Sequence, residues 1–129
     1  MTADEPNGPE YATTVVRLFS DYGRSVIWLD PDPVDYAETS LDDEFIAELK
    51  AWDRYARLAL DPDLPEIPAH AADRFDREGR VLALRLAEEL GAAFEVERRR
   101  GERYRSDGDP LNPGAASAFL RLVERARVG

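Results

Sequence analysis

A chain of 129 residues with 43% hydrophobic content has material for one core of ordinary size and no room for a second domain. It contains no cysteine and a single histidine, His70, which excludes disulfide frameworks, thiolate metal centres, cysteine nucleophiles and any site built on two imidazoles. The net charge of −10 repels nucleic acid at long range and favours a cationic partner.

The first twelve residues combine Asp4, Glu5, Pro6, Asn7, Gly8 and Pro9, a composition that buries too little apolar surface to offset ordering, so 1–12 is read as a flexible tail and 13–129 as one domain. Met1 to Glu10 has no basic residue and no apolar run, unlike a secretory signal, and no stretch is long and apolar enough for a membrane helix; a cytoplasmic protein is expected. Thr13–Phe19 and Ser25–Leu29 are β-branched and aromatic, and Asp21-Tyr22-Gly23-Arg24 between them reads as the turn of a β-hairpin. Asp30-Pro31-Asp32-Pro33 ends the second strand, because proline lacks the amide a ladder needs, and a surface loop continues to Thr39.

Ser40 with Asp43 three positions on resembles a capping box, and Leu41, Phe45, Leu49, Trp52 and Ala56 recur at helical spacing, placing a first helix at about 41–60. Three prolines within 62–68 stop it. A second helix is expected from Ala69 to Leu90, burying Ala72, Phe75, Gly79, Leu82, Leu86 and Leu90, with Gly91 as its left-handed cap. Gly79 in mid-helix costs about 1 kcal/mol relative to alanine, which points to a close contact with a neighbouring element. Phe94-Glu-Val-Glu alternates with period two and reads as a third strand, returning past Gly101 toward Tyr104. Asn112 capping Pro113 opens a last helix with Ala116, Phe119, Leu120 and Val123 on its apolar face, ending near Arg127. The fold class is α+β, in the order β-β-α-α-β-α, with helices over a small sheet.

No catalytic constellation emerges. His70 lies near Asp73 and Arg74 without a paired nucleophile, and the short acidic motifs at 30–35, 61–63 and 107–109 lack the ligand spacing of a cation loop, so neither a catalytic residue, a metal nor a cofactor is expected. The one basic cluster, Arg98 to Arg105 with Tyr104, is diluted by Glu95, Glu97 and Glu102, which disfavours nucleic acid. The charge distribution is more informative. Between Arg24 and Lys50 there is no basic residue, while Asp30, Asp32, Asp35, Glu38, Asp42, Asp43, Glu44 and Glu48 supply eight acids. Helix chemistry accounts for Asp42, Asp43 and Glu44, and the loop acids remain surplus. With Tyr22 and Tyr36 flanking them in loops, Asp30, Asp32, Asp35, Glu38, Asp42 and Asp43 are the candidate contacts for a basic protein partner. Trp28, Trp52, Tyr55, Phe75 and Phe94 are assigned to the core or its rim.

The stretches Val16–Gly23, Phe75–Arg80, Leu82–Gly91 and Phe94–Glu97 resemble a group of small, mostly uncharacterised actinobacterial proteins, and the acidic build is similar to that of immunity proteins, which cap secreted toxins. That resemblance implies a non-catalytic protein-binding domain. The alternatives are an accessory or regulatory domain that self-associates through a sheet edge, and a small enzyme using carboxylates or His70; oligomeric state is left open by the sequence.

Overall fold

The computed structural model describes residues 14–20, 25–29, 32–59, 69–98 and 101–128. Three strands come first: β1 (Thr14–Leu18), β2 (Ile27–Leu29) and β3 (Asp32–Pro33). A 3-10 turn at Tyr36–Glu38 leads into α1 (Asp43–Ala59), which is followed by α2 (Ala69–Leu90), β4 (Phe94–Glu97), β5 (Arg103–Tyr104) and α3 (Pro113–Val128). The expected α+β class is the one observed. The tail at 1–12, the hairpin turn at 21–24 and the proline loop at 61–68 lie outside the described residues.

The five strands form one sheet in the order β3-β2-β1-β4-β5. β1 is central: it pairs antiparallel with β2, Arg17 opposite Trp28, and parallel with β4, Val16 opposite Val96. The remaining pairs, β2–β3 and β4–β5, are antiparallel. Period-two alternation divides the sheet into two faces. Val16, Leu18, Ile27, Phe94 and Val96 point into a core shared with Phe45, Leu49 and Trp52 of α1, Leu82, Leu86 and Leu90 of α2, and Phe119 and Val123 of α3. The opposite face carries an ion ladder, in which Glu97 lies 3.5 Å from Arg17 and 3.6 Å from Arg103, and Arg103 reaches Glu95 at 3.0 Å.

Several sequence expectations are corrected. Asp32-Pro33 does not merely end a strand; it forms an edge strand of its own, which a proline tolerates because one side of an edge needs no donor. Ser40 is not the α1 cap. The chain turns there with φ 57°, and Asp42 takes the capping position, its carboxylate accepting the Phe45 amide at 2.8 Å. Trp28 follows buried Ile27 by one residue, so it falls on the outer face, stacked on Phe19 with centroids 4.8 Å apart, rather than in the core. In α2 the exposed residue is Ala72 and the buried one Ala71. In α3 the buried set is Ala115, Ala118, Phe119 and Val123, with Leu120 49% exposed: the face is rotated by one residue from the expected stripe.

Other expectations are met. α2 spans the expected residues, Gly91 takes φ 83°, and the Gly101 turn returns the chain into β5 with φ 82°. Asn112 caps α3, its side-chain oxygen accepting the Ala115 amide at 3.1 Å, while its Nδ2 donates to the Ser40 carbonyl at 3.1 Å and ties the two helix starts together. Gly79 lies under Trp52 and Arg98, and a Cβ there would stand 2.8 Å from each.

Candidate functional site

Three of the sequence-selected acids come together at the sheet edge. Asp32, Asp35 and Glu38 line a shallow groove of about 210 Å3 with Leu29, Pro33, Val34 and Leu122. The backbone makes this arrangement: β3 pairs with β2 through Leu29 and Asp32, and the Val34 amide donates to the Ile27 carbonyl at 2.7 Å, so the chain is held against the sheet until the 3-10 turn. Asp35 starts that turn, its carboxylate accepting the Ala37 amide at 3.3 Å. Its second oxygen has no hydrogen bond or ion pair among the described residues. Asp32 forms no ion pair among the described residues, whereas Glu38 is met by Arg125 of α3 at 3.5 Å.

Asp42 and Asp43 stand elsewhere, at the start of α1. Asp42 caps the helix and lies 3.9 Å from Arg85, and Arg85 also holds Glu48 at 3.1 Å. Asp43 and Glu44 occupy the first turn, where carboxylates oppose the positive end of the helix dipole. The acidic segment is therefore divided: Arg85 of α2 meets Asp42 and Glu48 at the helix start, Arg125 of α3 meets Glu38 at the sheet edge, and in each half two carboxylates form no ion pair among the described residues.

Tyr36 is half-buried rather than presented. Its hydroxyl accepts the Val26 amide at 3.2 Å, Lys50 lies 5.6 Å from its ring centroid, and burial pushes its hydroxyl pKa above the ordinary value despite that hydrogen bond. Its ring packs against the hydrophobic core and is not part of the groove lining. Tyr22 and Asp30 lie outside the described residues. The apolar floor was not anticipated from the sequence. Leu29 and Val34 read there as strand and loop, and Leu122 arrives from a helix about ninety residues later, a juxtaposition no local pattern announces.

The three described arginines of the basic cluster have partners within the chain, and Arg99 and Arg100 lie outside the described residues. The Arg98 side chain is only 3% exposed and donates to Asp76 at 2.6 Å and to Glu102 at 3.1 Å. Burial alone lowers its pKa, but the two carboxylates outweigh that and raise it. Arg103 belongs to the ion ladder, and Arg105 donates to the Ala92 carbonyl at 3.0 Å. Among the described residues there is no group of three or more metal-ligating side chains, and no helix long and apolar enough to cross a membrane. His70 is exposed at the first turn of α2.

Neither the curated proteins nor the solved structures contain a match to the chain. A family model does: the one described as Serratia CdiI immunity protein-like matches residues 14–99, more than half of the sequence. The match runs from β1 through β4 and takes in Asp32, Asp35 and Glu38, leaving Leu122 and Arg125 of α3 outside it. The chain belongs to the Serratia CdiI-like immunity protein family, and that membership implies a protein partner.

Proposed function

We propose that this protein is an immunity protein that acts in the cytoplasm by binding a basic toxin domain through the edge groove of β3. Asp32, Asp35 and Glu38 are its charged contacts, Leu29, Val34 and Leu122 its apolar floor, and Asp42 and Asp43 a second acidic row; Tyr22 and Asp30 adjoin them in sequence. The observation that carries the reading is that carboxylates with spare acceptor capacity gather beside apolar side chains in a member of an immunity family. A domain that acts on nucleic acid needs a positive substrate groove, and carboxylates at this spacing compete for such a groove. Charge then speeds encounter, and burial of the apolar floor slows release.

The test is to co-express the chain with a candidate toxic domain taken from its own locus, and to measure growth protection and binding. Asp32→Lys, Asp35→Lys and Glu38→Lys combined should weaken binding by about ten- to a hundredfold, taking about 0.5–1 kcal/mol for each rim charge. Association should also slow as salt is raised. A triple variant with an unchanged circular dichroism spectrum that protects and binds like the parent would show that the partner docks elsewhere.

A further inference from the structure

A larger groove, about 650 Å3, runs along the outer side of the α1–α2 hairpin and takes no part in the site above. Glu48 reaches Arg85 at one end, and at the other the Tyr55 ring lies 4.9 Å from the Arg74 guanidinium, so the helices run antiparallel. Ala51 and Tyr55 line the groove, and Leu58 continues their stripe at i, i+4 and i+7. Val81 of α2 also lines it. Leu58 and Val81 are 66% and 65% exposed, large apolar side chains left in water.

The charge of this face is unlike that of the whole molecule. Glu48 and Glu78 are balanced by Arg74 and Arg77 along the groove, in a chain of net charge −10. Arg77 forms no ion pair among the described residues. A strongly basic partner gains nothing from a neutral face. A second copy of an acidic chain, by contrast, is repelled least where charge cancels and apolar area is exposed.

We propose that this face is a self-association surface, on which a second copy docks across a two-fold axis near Val81. The polarity of the groove favours that arrangement. At one end Arg74 and Arg77 face the single carboxylate of Glu78, at the other Glu48 shares the one guanidinium of Arg85 with Asp42 and Glu89, and Val81 lies between, so a two-fold rotation sets the net cationic end of each copy against the net anionic end of its partner. In that arrangement the Val81 side chains of the two copies meet at the axis, while Tyr55 and Leu58 of each copy lie toward the Glu48 end of the other, and this exposed apolar surface is withdrawn from water together. The interface is small, of the size that gives weak and concentration-dependent association.

Sedimentation velocity and light scattering on the full chain, from about 5 to about 500 μM, bracket the range in which such an interface forms. Mass should rise from one chain toward two with concentration. Val81→Glu, at a position too exposed to disturb the core, should hold the protein at one chain throughout; Arg77→Glu should weaken association by about tenfold, and adding Glu48→Arg should restore part of it. A parent of one-chain mass at every concentration overturns the proposal, and so does a dimer that Val81→Glu leaves intact or that only β3-edge substitutions dissolve. Because the edge groove is a separate surface, Val81→Glu should leave toxin binding unchanged, and the two readings fail independently.

Discussion

Replacing Gly79 with alanine sets two opposing effects against each other at one backbone position. Alanine gains about 1 kcal/mol of helix propensity over glycine in mid-helix. The new methyl, however, would stand 2.8 Å from Trp52 Cζ2 and 2.8 Å from an Arg98 Nη1, where ordinary contact begins about 0.6 Å farther out. Neither neighbour yields easily. The indole stacks on Phe75 with centroids 4.5 Å apart and donates to the Phe75 carbonyl at 3.0 Å, and the guanidinium is fixed between Asp76 and Glu102. Overpacking of this kind costs about 1–3 kcal/mol, so the net expectation is a loss of about 1 kcal/mol, or some 3–5 °C in Tm for a chain of this length. Urea unfolding followed by tryptophan fluorescence reads it as a lower midpoint at unchanged slope. In an Arg98→Ala background one of the two overlaps is gone, and Gly79→Ala should cost less there than in the parent. If alanine raises the midpoint in the parent, helix propensity has won and the proposed close approach of α2 to Trp52 is wrong.

Arg98→Ala on its own should destabilise by about 2–3 kcal/mol: it removes a nearly buried cation, but Asp76 and Glu102 are exposed enough to be rehydrated, which keeps the loss below that of a fully buried pair; a double-mutant cycle with Asp76→Ala apportions the coupling. Glu102 accepts a hydrogen bond from the Tyr104 hydroxyl and from Arg98, and both hold its carboxyl below the ordinary value of 4.5. Its contribution is therefore complete above about pH 5 and lost as pH falls through the lowered folded value, so the stability difference between the parent and Glu102→Gln should be flat above pH 5 and shrink on acidification below 4.5. Asn112→Ala should cost about 1–2 kcal/mol by removing both the α3 cap and the donor to Ser40, and Asn112→Asp, which keeps the cap alone, should fall between; thermal melts separate the three proteins.

Much of this architecture is written in local signals. α2 is legible because its start after a proline run and its stop at Gly91 are both marked, and β4 because Phe94-Glu-Val-Glu alternates. Gly79 announced a close contact because nothing else explains a glycine there. The pairing of β1 with β4 was not legible, since two short apolar alternations say nothing about which strand each will meet or in which direction. β3 was missed because a two-residue strand containing proline has no periodicity to read. For the site, the sequence identified the acids but not their division. Asp32, Asp35 and Glu38 stay at the sheet edge because β3 holds them there, while two arginines far away in sequence reach the segment, Arg125 meeting Glu38 and Arg85 meeting Asp42 at the helix start. The exposed helical stripe of Ala51, Tyr55 and Leu58 was within reach, because its spacing is regular and lies beside the core positions Phe45, Leu49 and Trp52.

The parallel partnership of β1 and β4 also dictates when the molecule can fold. Thr14 finds Phe94 across the sheet, eighty residues later in the chain, so the middle of the fold waits until β4 has followed β1 out of the ribosome. Until then the β1–β2 hairpin has lost the neighbour that covers its other edge, and α1 and α2 can offer it only part of a core. Such a long-range closure slows folding and leaves the nascent chain open to chaperones and proteases. Truncation before Glu97 should leave fragments that expose apolar surface, and no smaller half-domain should accumulate as a stable product.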